Sequence, residues 1–167
     1  MLTVSERLAS PQPADDQLHL NYAQRSKVRL RCHSAEGVEL GLFLPRGQTA
    51  LADGDCLRAN DGRIFQIVAA PEQLLEVTCA SPFELMRAAY HLGNRHVPLQ
   101  LSEHWLRLAE DSVLAHMLEQ LGAQLRTLQA PFHPEAGAYG GGHHHSHGDD
   151  SAQFHYAPKL HQFGVRR

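Results

Sequence analysis

Hydrophobic and polar residues alternate along the first 72 residues of the chain. Two segments, "VRLRCHS" at 28–34 and "VELGLFL" at 38–44, place an apolar side chain at every second position, which indicates a hairpin with one buried face. A second hairpin is expected around Asn60-Asp61-Gly62, because an Asp-Gly pair between two alternating segments is a strong signal for a type I′ turn. No helical period is visible in this region. We therefore predict an all-β domain over residues 1–72.

Residues 73–133 follow a different pattern, in which segments with the apolar period of a strand alternate with segments that have the apolar period of a helix. Four short segments read as strands, and they are "LLEVTCA", "VPLQL", "HWLRLAE" and "AQLRTLQ". Helical patterns follow the first and the third of them, so the order is β-α-β-β-α-β, as in ferredoxin-like domains. We expect a linker at 69–73 and, for the whole chain, an α+β protein with an all-β domain followed by a ferredoxin-like domain.

Both predicted helices have start and stop signals. In the first helix, Ser81 suits the N-cap, Pro82 the first helical position and Glu84 the third position of a capping box. Gly93 suits a left-handed stop for this helix, and Gly122 suits one for the second helix, "DSVLAHMLEQLG". Apolar residues at helical spacing define one face of each helix: Phe83, Met86 and Tyr90 in the first, and Leu114, Met117, Leu118 and Leu121 in the second.

Residues 134–167 lack an apolar period and are rich in glycine and histidine, which predicts a flexible, histidine-rich tail. The chain has 13 histidines, an unusual number, and four of them fall within "HHHSH" at 143–147. Imidazole nitrogen is a ligand that suits Ni²⁺, Cu²⁺ and Zn²⁺. Metal uptake is therefore favoured over the alternative of a merely solvated tail, since lysine or glutamate would provide solubility equally well.

The candidate metal ligands are histidines of the tail and two histidines near the end of the first helix. As isolated residues, His91 and His96 would more often be helix-end or core residues than ligands. A residue near the axis of a homodimer, however, occurs twice and offers two imidazoles from one sequence position. The complete set of predicted ligands is His91, His96, His143, His144, His145, His147, His155 and His161.

Composition argues against several classes of function. The formal net charge of −3 disfavours a nucleic-acid partner, and no segment has the apolar length of a membrane span or a secretion signal. Three cysteines without C-x-x-C spacing suit a reducing cytosol rather than a zinc ribbon. Signatures of hydrolases and of phosphate-binding loops are also missing from the sequence. We therefore expect a cytoplasmic protein that is not an enzyme.

The segment "YHLGNRHVPLQ" at 90–100 closely resembles a signature of the UreE family, urease accessory proteins that act as nickel metallochaperones. The two-domain order and the histidine tail extend this resemblance over the whole chain. The resemblance implies a homodimer formed through the second domain, in which the histidine of G-N-R-H, here His96, is the essential nickel ligand at the axis. It also implies further ligands from the tail and a place near the interface for His91.

The same resemblance implies partners and a cargo. Ni²⁺ would be delivered to the urease apoprotein, in contact with the other urease accessory proteins, including the GTPase. Zn²⁺ or Cu²⁺ could occupy the same sites, because the Irving–Williams order favours copper at any such site. The all-β domain resembles the peptide-binding module of an Hsp40-type chaperone, which suggests a role in partner binding.

Two other functions stay open at this point. A non-catalytic scaffold or holdase, whose tail only buffers zinc or copper, would carry the same histidines. RNA binding is a third hypothesis, because β-α-β-β-α-β is also the order of the RNA-recognition motif. It is disfavoured because the predicted strands lack the aromatic pattern of that motif and the overall charge is acidic.

Overall fold

A computed structural model describes residues 1–136, whereas residues 137–167, with all six predicted tail ligands, lie outside the described part. The first domain has six strands and one short helix: β1 (Leu2–Arg7), β2 (Asp16–Leu20), α1 (Tyr22–Arg25), β3 (Arg29–His33), β4 (Glu39–Phe43), β5 (Cys56–Ala59) and β6 (Ile64–Ala69). They form one sheet in the order β2-β6-β5-β1-β4-β3. The prediction of an all-β domain is confirmed in part, because the domain is mostly β and contains one short helix.

The alternation of the sequence places one face of this sheet around a single core. Leu40 and Leu42 of β4 are fully buried, and Leu30 and Cys32 of β3 pack against the same cluster. Both predicted hairpins are present, since β3 pairs with β4 and β5 pairs with β6 in antiparallel fashion. The strands β1 and β2 and the helix α1 are additions to the predicted elements.

The turn between β5 and β6 differs from the predicted type I′ turn. Gly62 has a φ of 91°, whereas Asp61 does not adopt a positive φ. The N–H of Gly62 donates to the carbonyl of Ala59 (3.0 Å), and the Asp61 carboxylate accepts from the N–H of Arg63 (3.1 Å). The loop therefore has a left-handed residue only at Gly62, after the turn, which is the pattern of the common three-residue hairpin connection.

The second domain has the predicted order β-α-β-β-α-β. Its elements are β7 (Pro71–Thr78), α2 (Pro82–Gly93), β8 (Gln100–Leu101), β9 (Leu106–Ala109), α3 (Ser112–Gln120) and β10 (Gln124–Pro131). The strands form an antiparallel sheet in the order β10-β7-β9-β8. Both helices pack on one face of this sheet, where Leu92 of α2 and Leu118 of α3 are fully buried in a common cluster.

The expected linker at 69–73 is wrong. Strand β6 ends at Ala69 and β7 begins at Pro71, so a single residue separates the two domains. Pro71 opens the strand opposite Pro131 of β10. Proline is compatible with the first residue of a strand, and this is why a loop-like composition conceals strand structure here.

The short helix α1 connects the two domains by direct contacts. Tyr22 packs edge-to-face against Phe132, with ring centroids 5.4 Å apart, and its N–H donates to the Glu72 carboxylate (2.8 Å). The guanidinium of Arg25, which is buried, donates to the carbonyls of Leu51 (2.8 Å) and Phe132. These bonds join residues of both domains, so α1 serves as a packed junction rather than as part of the sheet.

The face of the second sheet that is opposite the helices carries a buried carboxylate. Glu76 accepts hydrogen bonds from Arg107 (2.7 Å) and from Arg126 (2.5 Å). Burial raises the pKa of Glu76, but these guanidinium hydrogen bonds and charges outweigh it and hold the pKa below its ordinary value. Arg107 also lies over the ring of Trp105, 4.1 Å from its centroid. Among residues 1–136, no helix is both long and apolar enough to span a bilayer.

Candidate metal site

Helix α2 carries the two candidate ligands of the described chain. Its start follows the prediction except for the capping box, because in the described residues the Ser81 N–H makes no hydrogen bond to the Glu84 side chain. Ser81 is the N-cap, with its hydroxyl accepting from the N–H of Glu84 (3.3 Å), and Pro82 occupies the first turn. The Glu84 carboxylate lies in the same turn, where a negative charge interacts favourably with the helix dipole. The sequence therefore sets the point from which α2 runs toward His91 and His96.

The end of α2 differs from the prediction. Gly93 remains helical, and the left-handed residue is His96, with a φ of 55°. The N–H of His96 donates to the carbonyl of Gly93 (2.9 Å), and the N–H of Val97 donates to the carbonyl of Leu92 (3.2 Å). This pair of bonds defines a Schellman motif with His96 at the position where glycine is usual. The prediction failed because the chain continues through a right-handed turn at Asn94 before it reverses.

The backbone of His96 is strained and its side chain is exposed. His96 is the single non-glycine residue with positive φ in the described part of the chain. A left-handed conformation costs a non-glycine residue roughly 1 kcal/mol, although histidine tolerates it better than most. The motif overcomes this cost with its two hydrogen bonds and with the apolar contact of Val97 in the cluster that contains Leu92. The imidazole of His96 is thus held at the surface directly beyond the helix end.

His91 lies in the last turn of the same helix and is half-buried. Its ring packs edge-to-face against Tyr90, with centroids 5.5 Å apart. The guanidinium of Arg95 donates to the carbonyl of His91 (2.9 Å), which satisfies one of the free carbonyls at the helix end. The structure therefore places His91 and His96 at the same end of α2, one within the helix and one just beyond it.

The predicted apolar face of α2 is real, but it points away from the core of its own domain. Phe83, Met86 and Tyr90 each retain 65% of their surface exposure, whereas Ala88 and Leu92 on the opposite side are buried. We call this face the α2 stripe. A continuous row of large exposed apolar side chains is typical of a protein–protein contact. The periodicity identified the stripe correctly, and only the structure shows which side of the helix meets the sheet.

The remaining six predicted ligands are histidines of the C-terminal segment. His143, His144, His145, His147, His155 and His161 all lie in 137–167, outside the described part. Within residues 1–136, no three residues of the types His, Cys, Asp and Glu come close enough together to hold a metal ion. The ligand role of every histidine in the set remains a prediction.

Sequence models of a single family match nearly the whole chain. The N-terminal domain of the UreE urease accessory protein matches residues 3–70, and the C-terminal domain matches residues 72–162. The chain belongs to the UreE urease accessory protein family. This membership confirms the family that residues 90–100 indicated.

Full-length relatives of the UreE family support the same assignment. The urease accessory protein UreE of Pseudomonas fluorescens (strain Pf0-1) is 64% identical over 168 residues, covering 99% of each chain. Those of Ectopseudomonas mendocina (strain ymp) and Azotobacter vinelandii (strain DJ / ATCC BAA-1303) are 62% and 59% identical over the full length of both chains. As a member of this family, the chain has an accessory role in urease maturation.

Proposed function

We propose that this protein is a nickel metallochaperone, which binds Ni²⁺ reversibly between the His96 imidazoles of two copies and delivers it to apo-urease. The observation that carries the proposal is the left-handed histidine at the end of α2. A strained, exposed His96 stands where glycine would be more stable, and strain of this kind concentrates at functional sites. Its imidazole is a ligand type that suits Ni²⁺.

A homodimer would give this site its second imidazole. A residue near a two-fold axis contributes one side chain from each subunit, so the exposed His96 would appear twice. The α2 stripe supports a contact on the same helix, because burial of Phe83, Met86 and Tyr90 against a second copy would remove a large apolar area from water. We infer that the second domain, with a ferredoxin-like arrangement over 73–133, is the dimerisation domain.

Further ligands would complete the coordination of the shared ion. His91 lies at the same end of α2, and the histidine cluster at 143–147 can reach the site if residues 134–167 form a flexible tail. A site with two fixed imidazoles and exchangeable tail ligands would release its ion readily, since each tail arrangement must be ordered from a mobile chain. Zn²⁺ and Cu²⁺ would compete for the same nitrogen ligands, so the choice of nickel would follow from availability and from the receiving partner.

Delivery requires partners but no bond-breaking chemistry. The ion would pass by ligand exchange to the urease apoprotein, in a complex with the other accessory proteins, including the GTPase. The mostly-β domain, residues 1–72, is the proposed partner-binding surface. We place this exchange in the cytoplasm, a compartment that suits the free thiols of Cys32, Cys56 and Cys79.

Calorimetry of nickel binding tests the proposed site. His96→Asn removes the imidazole while asparagine still tolerates the left-handed backbone, and His96→Ala provides an independent removal. Both variants should lose the tightest nickel site of the dimer. His33→Asn, on an exposed position of β3, is the matched control and should bind nickel as the wild type does. Unchanged stoichiometry and affinity at the tightest site in both His96 variants would refute the assignment.

Urease activation in cells separates the carrier from a scaffold with a metal-buffering tail. A carrier predicts that His96→Asn reduces activation at limiting nickel and that excess nickel restores it. Deletion of 137–167 should weaken activation less, because the tail would supply exchangeable ligands only. If activation is intact in both variants at limiting nickel, the scaffold function is favoured instead.

A further inference from the structure

A cavity of about 350 Å³ lies at the junction of the two domains, away from the proposed metal site. Apolar side chains and a guanidinium form its walls, and the lining includes Tyr22, Arg25, Leu51 and Pro134. Ala52 and His133 also line the cavity and are exposed, so a ligand can reach it from solvent. Cavities of this size commonly bind small molecules, through a few polar groups among apolar walls.

The charge of Arg25 is buried beside this cavity without an acidic partner in residues 1–136. Arg25 retains 4% of its surface exposure, and its two terminal nitrogens donate to the carbonyls of Leu51 (2.8 Å) and Phe132. Among the described residues, no carboxylate forms an ion pair with it. A buried charge that is held by neutral carbonyls alone is costly, because it has lost its hydration and gained no opposite charge in return.

The Nε atom of Arg25 shows where the missing partner would bind. This atom is buried and makes no hydrogen bond with any residue of 1–136. Buried N–H donors are nearly always paired in folded proteins, so an unpaired one needs an explanation such as a ligand. The Nε–H and a neighbouring terminal N–H of a guanidinium form a planar fork, which matches the two oxygens of a carboxylate.

The other charged groups at the cavity favour a ligand with a single negative charge. Arg7 also lines the cavity, but its guanidinium is already paired with the Asp55 carboxylate (2.7 Å). Glu135 is an exposed acidic residue of the lining and would repel a doubly charged anion such as phosphate more strongly than a carboxylate. One buried cation among apolar walls therefore suits a monocarboxylate on a small apolar body.

We propose that this cavity is a binding site for a small organic carboxylate, whose oxygens pair with Arg25 and whose apolar part lies against Tyr22 and Leu51. Arg25 already joins Leu51 of the first domain to Phe132, which follows the last strand of the second. A bound carboxylate would therefore stabilise the junction of the domains. His96 does not line this cavity, and the site is independent of the proposed nickel site.

A titration of the full-length apo-protein with sodium butyrate tests the site, because the Nε–H of an arginine gives its own signal in nitrogen–proton correlation spectra. The Arg25 signal should shift saturably, with a dissociation constant on the order of 1 mM. Butyramide, which has the same shape without the charge, and inorganic phosphate should each bind at least roughly tenfold more weakly. An Arg25 signal that does not respond to butyrate, or binding of either control compound as tight as that of butyrate, overturns the proposal.

Two variants should remove the site in different ways. Ala50→Leu adds bulk at a half-buried position of the lining and keeps Arg25, whereas Arg25→Lys keeps the charge and lacks the planar fork. Both should weaken butyrate binding roughly tenfold or more. Arg58→Lys is the matched control, since this arginine of β5 pairs with Glu6 and does not line the cavity. Wild-type affinity for butyrate in a folded Ala50→Leu protein contradicts the proposal, whether or not Arg25→Lys folds.

The chain itself is a second source of carboxylates, because residues 137–167 begin directly after Ala136 of the lining and include Asp149 and Asp150. The full-length double variant Asp149→Asn, Asp150→Asn distinguishes the two sources. If the ligand is a free carboxylate, the double variant should bind butyrate as the wild type does. If it binds butyrate roughly tenfold more tightly, a carboxylate of the tail competes for Arg25, which supports the site and assigns it to the tail instead.

Discussion

The two helices of the second domain end with the same motif, but different residues occupy its central position. In α3, the N–H of Gly122 donates to Glu119 (2.9 Å) and that of Ala123 donates to Leu118 (3.0 Å). These bonds correspond one by one to those of His96 and Val97 at the end of α2. In α3 the left-handed residue is a glycine, with a φ of 87°, whereas in α2 it is a histidine.

This comparison distinguishes a residue that suits folding alone from a residue whose side chain we propose to be functional. Gly122 is the residue type that this motif usually contains when it only reverses the chain, because glycine enters the left-handed region without a steric penalty. His96 meets the same geometric requirement at a cost, and the gain from it is an exposed imidazole. The α2 stripe differs from the energetic optimum of an isolated domain in the same way. We propose that one of these helix ends serves stability alone and that the other also serves a contact.

Exchanging the two residues gives the largest expected effect. The double variant His96→Gly, Gly122→His moves the imidazole from α2 to α3 and keeps the number of left-handed histidines constant. We expect the affinity of the tightest nickel site to fall by more than roughly a hundredfold, since even partners of ligands contribute ten- to hundredfold. Calorimetry checks this, and retention of the tight site would show that position 96 is not special.

Gly122→His alone should destabilise the apo-protein. Gly122 has a φ of 87°, and a left-handed backbone costs a non-glycine residue about 1–2 kcal/mol. The measurement is the free energy of unfolding in urea, with Glu119→Ala, a neighbouring surface substitution that keeps Gly122, as a control. A stability equal to that of the wild type would mean that the motif at α3 imposes no left-handed conformation.

His96→Gly should do the opposite and raise the free energy of unfolding of the apo-protein by up to about 1 kcal/mol. The greater freedom of glycine in the unfolded chain offsets part of the gain. His96→Asn, which tolerates the same backbone, should change stability less. Because dimerisation adds to apparent stability, the comparison is made at several protein concentrations. A destabilised His96→Gly protein would indicate that the histidine side chain stabilises the fold.

The smallest effect concerns acid, and it tests whether the end of α2 is independent of the buried carboxylate in the sheet. Glu76 has a folded pKa below its ordinary value of 4.5, so its contribution is present above that value and is lost as pH falls through the folded pKa. The stability difference between wild type and Glu76→Gln should therefore shrink below about pH 4.5. The difference between wild type and His96→Gly should stay constant over this range, and a parallel decrease would link His96 to that titration.

Much of the fold was accessible from local patterns. Apolar residues at every second position predicted both hairpins of the first domain. The change between strand and helix periods of the apolar residues predicted the β-α-β-β-α-β order of the second. Ser81 and Gly122 marked a helix start and a helix stop correctly, because caps depend on bonds within a few residues. Helix α1 also had a local signal, the capping box of Asn21 and Gln24, although it is only four residues long.

Long-range contacts explain what the patterns missed. The composition around Pro71 suggested a linker, but pairing with β10 makes it a strand. The burial of Arg25 follows from carbonyls that belong to Leu51 and Phe132, far away along the chain. No periodicity can report such partners, since they come together only when the two domains are packed.

By itself, the sequence determined the family, the element order and the residues that share each helix face, because these depend on motif and period. The tertiary structure decided which of the two apolar faces of α2 meets the sheet, since Ala88 and Leu92 pack inward and leave the α2 stripe outside. It also decided that the left-handed residue is His96 rather than Gly93. The physical reason is that the position of the left-handed residue depends on the hydrogen bonds and apolar contacts that form at the helix end. Those contacts exist only in the folded domain.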